Sequence, residues 1–340
     1  MEDEGMPTFL GLDQGEGDVD IAILSLPYEL TTSYGQGTAQ GPMACIEASA
    51  QVELYDEQIG EDLPSGYSIH TIPEWVGEEP TLLQQLDSLS GYLIPWFKGD
   101  CFPLCLGGEH GILPSIMEAV RHHPAVSDDL SNLTVVQIDA HGDLRHELDG
   151  EIYSHACAAA RALDAGVGSL LQVGIRAFSK EEHHRMLNDE RITTFFAKDT
   201  QSPCNGAKRW EDWLKTLQSI EGPVHLTIDI DGLDGALVPA TGTPVPGGLT
   251  FWQVHETIQT LFNAPNALIV SADVNEIGVQ EDSPLTQFTA AMLATKVVAS
   301  HILARKEGRW EALAPPSDAL RSSVSYQHFS KTRPKKSINT

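Results

Sequence analysis

The chain has 340 residues, enough for one large α/β domain or two ordinary ones. Its 48 acidic residues against 21 basic ones give a net charge of −27; such a field repels phosphate backbones and anionic lipid, excludes nucleic acid and membrane as expected partners, and favours cations. Five cysteines, an odd number without CxxC spacing, argue against a disulfide framework or a zinc ribbon. With an acidic N-terminus and no run of about 18 apolar residues, the expected compartment is the cytoplasm.

Apolar runs of strand length recur along the chain: VDIAILSL from Val19, CFPLCL from Cys101, LTVVQID from Leu133, SLLQVGI from Ser169, ITTFFA from Ile192, VHLTIDI from Val224 and ALIVSADV from Ala267. Between them lie segments with helical periodicity, including GILPSIMEAVRHH from Gly111, AKRWEDWLKTLQSI from Ala207 and FWQVHETIQTLF from Phe251. This alternation predicts α/β architecture, a mainly parallel sheet covered by helices on both faces. One domain is expected over residues 1–306, closing with the helical run SPLTQFTAAMLATKVVASHILARK. Residues 307–340 lack periodicity, end in a basic cluster, and read as a tail that is partly disordered or packed on a neighbouring subunit.

Three of the strand ends carry metal-ligand chemistry. CFPLCLGGEHG closes with a Gly-Gly pair and His110; VVQIDAHGD closes with Asp139, His141 and Asp143; LTIDIDGLDG closes with Asp229 and Asp231. Residues two apart in an extended segment share a face, and the carboxyl ends of parallel strands open onto a common crevice. Four carboxylates buried together repel one another and resist desolvation. Paired divalent cations remove that conflict, and a mixed carboxylate and imidazole set suits first-row metals: two Mn²⁺ ions, with Ni²⁺, Fe²⁺ and Co²⁺ as alternatives.

The stretches GGEHG, DAHGD, SHAC, DIDGLDGALVPATGTPVPGGLT and DVNEIG together resemble the ureohydrolases, the arginase and agmatinase family, over roughly residues 20 to 305. The resemblance implies a three-layer α/β/α subunit and hydrolysis of a guanidino compound to urea and an amine at two manganese ions. It assigns one ion to His110, Asp139, Asp143 and Asp229 and the other to His141, Asp139, Asp229 and Asp231, with Asp139 and Asp229 bridging. Two such ions lower the pKa of a shared water, so that hydroxide can attack the guanidinium carbon.

By the same resemblance Asp143 orients the nucleophile, His155 handles the proton of the departing amine, and Glu276 receives the substrate guanidinium. Family members commonly form trimers or hexamers, so a homo-oligomer is expected. Glu109, Ala240 and Asn275 depart from the usual family residues at their positions.

Arginases carry an Asn- and Ser/Thr-rich loop after DAHxD that grips the α-carboxylate and α-amine of arginine; here the loop reads LRHELDGEIYSHAC, short and acidic. It resembles the agmatinase branch and implies a small cationic guanidino substrate, agmatine, giving putrescine. Guanidinobutyrate, guanidinopropionate, guanidine, arginine and formiminoglutamate are the alternative substrates, with Arg145 and Arg176 as candidate partners of a substrate carboxylate. A catalytically silent scaffold is a further alternative, which the intact ligand set disfavours. A single-zinc deacetylase lacks its catalytic tyrosine and paired histidines here.

Overall fold

The computed structural model describes residues 6–280, 283–313 and 329. Ten strands occur among them. β1 (Ile21–Leu26), β4 (Ile69–Ile72), β5 (Phe102–Gly107), β6 (Thr134–Ile138), β7 (Ser169–Ile175), β8 (Ile192–Phe196), β9 (Glu221–Asp229) and β10 (Asn266–Asn275) form one sheet. The short strands β2 (Tyr55–Asp56) and β3 (Glu61–Asp62) pair separately as an antiparallel ribbon.

The large sheet has the order β4-β1-β5-β10-β9-β6-β7-β8, and every pairing in it is parallel. The expected three-layer α/β/α fold is therefore present. Side chains alternate between two cores. Ile21 and Ile23 of β1 and Leu104 of β5 face the helices Gly41–Ser49, Gly206–Gln218, Phe251–Phe262 and Leu285–Lys306. Ala22 and Leu24 of β1 and Cys105 of β5 face the helices Leu82–Leu93, Leu113–Val120 and Ala158–Ala165. Both faces of a parallel sheet are buried in this way, which explains why its strands read as continuous apolar runs rather than alternating ones.

Seven of the sheet strands coincide with the apolar runs. The eighth, β4, is a four-residue edge strand, IHTI, whose alternating burial and single imidazole hide it among loop sequence. The long closing helix covers Leu285–Lys306. Beyond it a short helix spans Arg309–Leu313, and Phe329 rests against its own chain: its N–H donates to Asp87 Oδ1 at 3.0 Å and its ring meets Tyr153 edge-on at 5.4 Å. The rest of the proposed tail, 314–328 and 330–340, lies outside the described residues. No helix among the described residues is long and apolar enough to cross a membrane.

What matters for function is adjacency. β5, β10, β9 and β6 are the four central strands, and being parallel they bring their carboxyl ends to the same edge of the sheet.

Candidate metal and substrate site

Those four strand ends deliver His110, Glu276, Asp229 with Asp231, and Asp139 with His141 and Asp143 to one place. All line, or lie beneath, a cleft of about 350 Å³ whose walls also include Thr32, Ser33, Leu148, His155 and Phe178. His110 opens a 3-10 turn after β5; Asp231 sits in the turn Ile230–Gly232 after β9; Glu276 follows β10 directly.

Convergence after β6 differs from the expected extended alternation. The strand ends at Ile138, and Asp143 has φ 51°, a left-handed conformation uncommon outside glycine. Glu276 has φ 60°. Both side chains thus reach the cleft through backbone bends that cost free energy, as is common where function over-determines geometry.

Asp139 faces two histidines at once. Its Oδ2 lies 3.2 Å from His110 Nδ1 and its Oδ1 3.6 Å from His141 Nδ1. Around His110 Nδ1 are also Asp143 Oδ2 at 2.9 Å and Asp229 Oδ2 at 3.5 Å, while His141 Nδ1 has Asp231 Oδ2 at 3.0 Å. Two clusters result, His110 with Asp139 and Asp229 and His141 with Asp139 and Asp231, each with ligand atoms within 4.8 Å of one another. Asp139 belongs to both.

His110 Nδ1 tests whether cations fit. It is fully buried, and despite the short distances none of the surrounding oxygens meets it in hydrogen-bond geometry. The other ring nitrogen explains this: Nε2 lies 2.9 Å from Thr227 Oγ1, whose own proton goes to Asp273 Oδ1 at 2.7 Å. The threonine oxygen can therefore only accept from Nε2–H, which leaves Nδ1 as a bare lone pair aimed among carboxylate oxygens. That is the donor set of a metal ligand held by an outer hydrogen bond.

Charge agrees with this arrangement. Burial and the Asp139 charge push Asp143 up to about 7, and burial together with Asp231 and Asp139 raises Asp229 well above the carboxylate range. Cations would replace the protons that these acids otherwise retain.

Sequence reasoning missed the residues that hold the acids in place. Gln137 donates to Asp139 Oδ2 at 2.7 Å, and Gln172 donates both to Gln137 Oε1 at 2.8 Å and to the Gly142 carbonyl at 2.9 Å. The backbone N–H of His141 donates to Asp139 Oδ1, that of Ala140 to Asp231 Oδ1, and that of Asp231 to Asp229 Oδ1. His225 Nε2 lies 2.6 Å from Asp273 Oδ2. A signal for them existed in the lone polar residues inside apolar strands, Gln in VVQI, Gln in LLQV, His and Thr in VHLTI.

The three residues that depart from the family pattern sit in defined contacts. Asn275 turns toward Asp273, to which its Nδ2 donates, and a Cβ on Gly107 would fall 2.0 Å from its Oδ1. It supports the His110 side of the site. Ala240 donates its N–H to Thr286 Oγ1 at 3.0 Å, pinning the PATGTP loop to the closing helix. Glu109 is fully buried and binds the loop at Leu30 and Thr31.

Of the two arginines, Arg176 is spent on main-chain carbonyls, whereas Arg145 lines the cleft with its side chain 41% exposed. Arg176 donates to the carbonyls of Gly174, Asp231, Gly232, Leu233 and Val245, and Arg145 Nε lies 3.6 Å from Glu182 Oε2.

The family model described as Arginase family matches residues 19–303. The chain belongs to the arginase family. Members of the arginase family hydrolyse guanidino compounds at a binuclear metal centre. Among its relatives, an N(1)-aminopropylagmatine ureohydrolase of Synechocystis sp. is 31% identical over 287 residues, covering 83% of this chain and 89% of the relative. An agmatinase of Pyrococcus horikoshii is 30% identical over 285 residues, 83% and 92% of the two chains. The solved agmatine ureohydrolase of Thermoplasma volcanium superposes with a TM-score of 0.73 at 26% identity, over 89% of this chain and 97% of that one.

Proposed function

We propose that this member of the arginase family hydrolyses agmatine to putrescine and urea, a step of polyamine biosynthesis, using two Mn²⁺ ions. His110, Asp139, Asp143 and Asp229 would hold one ion, and His141, Asp139, Asp229 and Asp231 the other. The observation that carries this reading is the position of Asp139, with one carboxylate oxygen toward each histidine. When bound, such a pair of ions supplies a water nucleophile at neutral pH.

The chain's own groups do the rest. Glu276, 7% exposed at the floor of the cleft, is a carboxylate that a planar guanidinium fork can bind. Its Oε1 accepts the His110 N–H at 2.8 Å, which fixes the carboxylate beside the metal cluster. Asp143 orients the nucleophile next to His110. His155, on the cleft wall, delivers a proton to the departing amine.

Two features support an amine rather than an amino acid as substrate: Arg176 is already engaged with main-chain carbonyls, and the rim loop carries Glu147, Asp149 and Glu151. The name of the Synechocystis relative favours a second reading, N(1)-aminopropylagmatine, whose additional ammonium that acidic rim would also suit. A cytoplasmic homo-oligomer, trimer or hexamer, completes the proposal. It is supported by the unpaired cysteine pattern and by the exposed aromatics Tyr55 and Trp252 along one groove with Met292.

The test is urea release by the manganese-loaded protein across agmatine, its aminopropyl derivative, guanidinobutyrate, guanidinopropionate, guanidine, arginine and formiminoglutamate. Preference for the two amines is expected. Preference for a guanidino acid would overturn the agmatine reading, and silence toward all of them would support a scaffold.

A further inference from the structure

The carboxylate of Glu109 is turned to the loop at Leu30 and Thr31 rather than to the metal cluster. Oε1 accepts the N–H of Leu30 at 3.0 Å, the N–H of Thr31 at 3.0 Å and the hydroxyl of Thr31 at 3.0 Å; Oε2 accepts the Thr31 N–H at 2.9 Å. The carboxylate is fully buried, and the Glu109 N–H is itself anchored to the Tyr28 carbonyl at 2.9 Å. Such a group has little freedom to turn.

Thr31 carries the hold onward. Its Oγ1 accepts the backbone N–H of His155 at 2.9 Å and lies 3.3 Å from His155 Nδ1. Because the hydroxyl proton is committed to Glu109, the oxygen meets the imidazole only as an acceptor. With Ser154 Oγ, 3.4 Å from Nδ1, able to accept as well, that favours the ring protonated at Nδ1 and leaves Nε2, 3.5 Å from Ser33 Oγ, to take up and release a proton at the cleft.

We propose that Glu109 is a positioning residue that acts through the Thr31 hydroxyl to fix the place and ring form of His155. This rests on the proton-transfer role proposed above for His155. The longer side chain at 109 reaches the loop 30–31, which one methylene less would leave about 1.5 Å short of its present contacts. Misplacement of a proton donor on that scale costs on the order of 100-fold in rate.

The experiment compares wild type with Thr31→Val, Thr31→Ser, Glu109→Asp and Glu109→Gln, each full-length and manganese-loaded. It measures kcat, KM, bound metal and backbone hydrogen exchange of the peptide spanning 146–156. Thr31→Val keeps the shape of the side chain and loses the hydroxyl, so kcat should fall at least tenfold with KM and metal content within about threefold of wild type. Exchange at His155 should quicken. Thr31→Ser restores the hydroxyl and should recover both readouts, while Glu109→Asp should resemble Thr31→Val. Glu109→Gln retains one acceptor oxygen and should fall between wild type and Glu109→Asp.

A Thr31→Val enzyme with kcat within twofold of wild type, or a Thr31→Ser enzyme as impaired as Thr31→Val, overturns the proposal. If wild type itself releases no urea, the ureohydrolase reading fails and the exchange arm still decides: unchanged protection of His155 in Thr31→Val and Glu109→Asp would overturn the positioning role.

Discussion

His110 Nε2 lies 2.9 Å from Thr227 Oγ1, and that hydroxyl donates to Asp273 Oδ1 at 2.7 Å. The relay fixes the His110 tautomer from behind, so Thr227→Val should leave the fold intact and loosen the metal. A loss of about 10- to 100-fold in affinity for Mn²⁺ is expected, read by metal titration. Unchanged affinity would show that the tautomer is fixed by something else.

Glu276→Gln keeps a carbonyl oxygen for the His110 N–H and removes the charge. Loss of a desolvated charge pair costs about 2–5 kcal/mol, so kcat/KM should fall by about 30-fold or more with bound metal unchanged. Steady-state kinetics with parallel metal analysis distinguishes this from a collapse of the metal site, which would release metal.

A Cβ on Gly278 would lie 1.6 Å from the Ala240 carbonyl oxygen, which belongs to the loop leading to Gly242 and Thr243 on the cleft wall. Gly278→Ala must displace that loop. A stability loss of about 1–3 kcal/mol in chemical denaturation is expected, together with a raised KM.

Acid should destabilise the protein through two buried histidines far from the cleft. Burial, with Arg305 nearby, lowers His301 to about 3, and burial lowers His123 to about 4. Both are neutral in the fold, whereas the unfolded chain takes up protons below about pH 6.5. Their contribution is therefore intact above pH 6.5 and lost as pH falls toward 4 and then 3, about 2 kcal/mol each between pH 7 and pH 5.

His301 stacks on Phe102 with ring centroids 4.2 Å apart, and neither ring nitrogen has a hydrogen-bond partner among the described residues. Replacing it with leucine should remove its share of that slope, as measured by unfolding at several pH values. A His301→Leu protein with the wild-type pH dependence would exclude it as a source.

The legible part of this molecule was the part governed by long-range burial and by unusual residues at strand ends. The central strands announced themselves because both their faces are covered, and Asp139, His141, Asp143, Asp229 and Asp231 because so many acids rarely follow apolar runs. The edge strand Ile69–Ile72 escaped because four residues with alternating burial carry no such signal. Alternation along an extended segment grouped Asp139, His141 and Asp143, whereas in the structure the left-handed backbone at Asp143 is what brings it to His110. Gln137, Gln172 and Thr227 went unread because their role depends on which strands are neighbours, and strand order is a property of the whole chain.

The central claim is that these six side chains hold two ions for guanidino hydrolysis, and metal content and urea release measured on one manganese-loaded sample test it most directly. Two ions per subunit with urea from agmatine or its aminopropyl derivative is the predicted result; one zinc per subunit, or two ions with no urea from any guanidino compound, would contradict it.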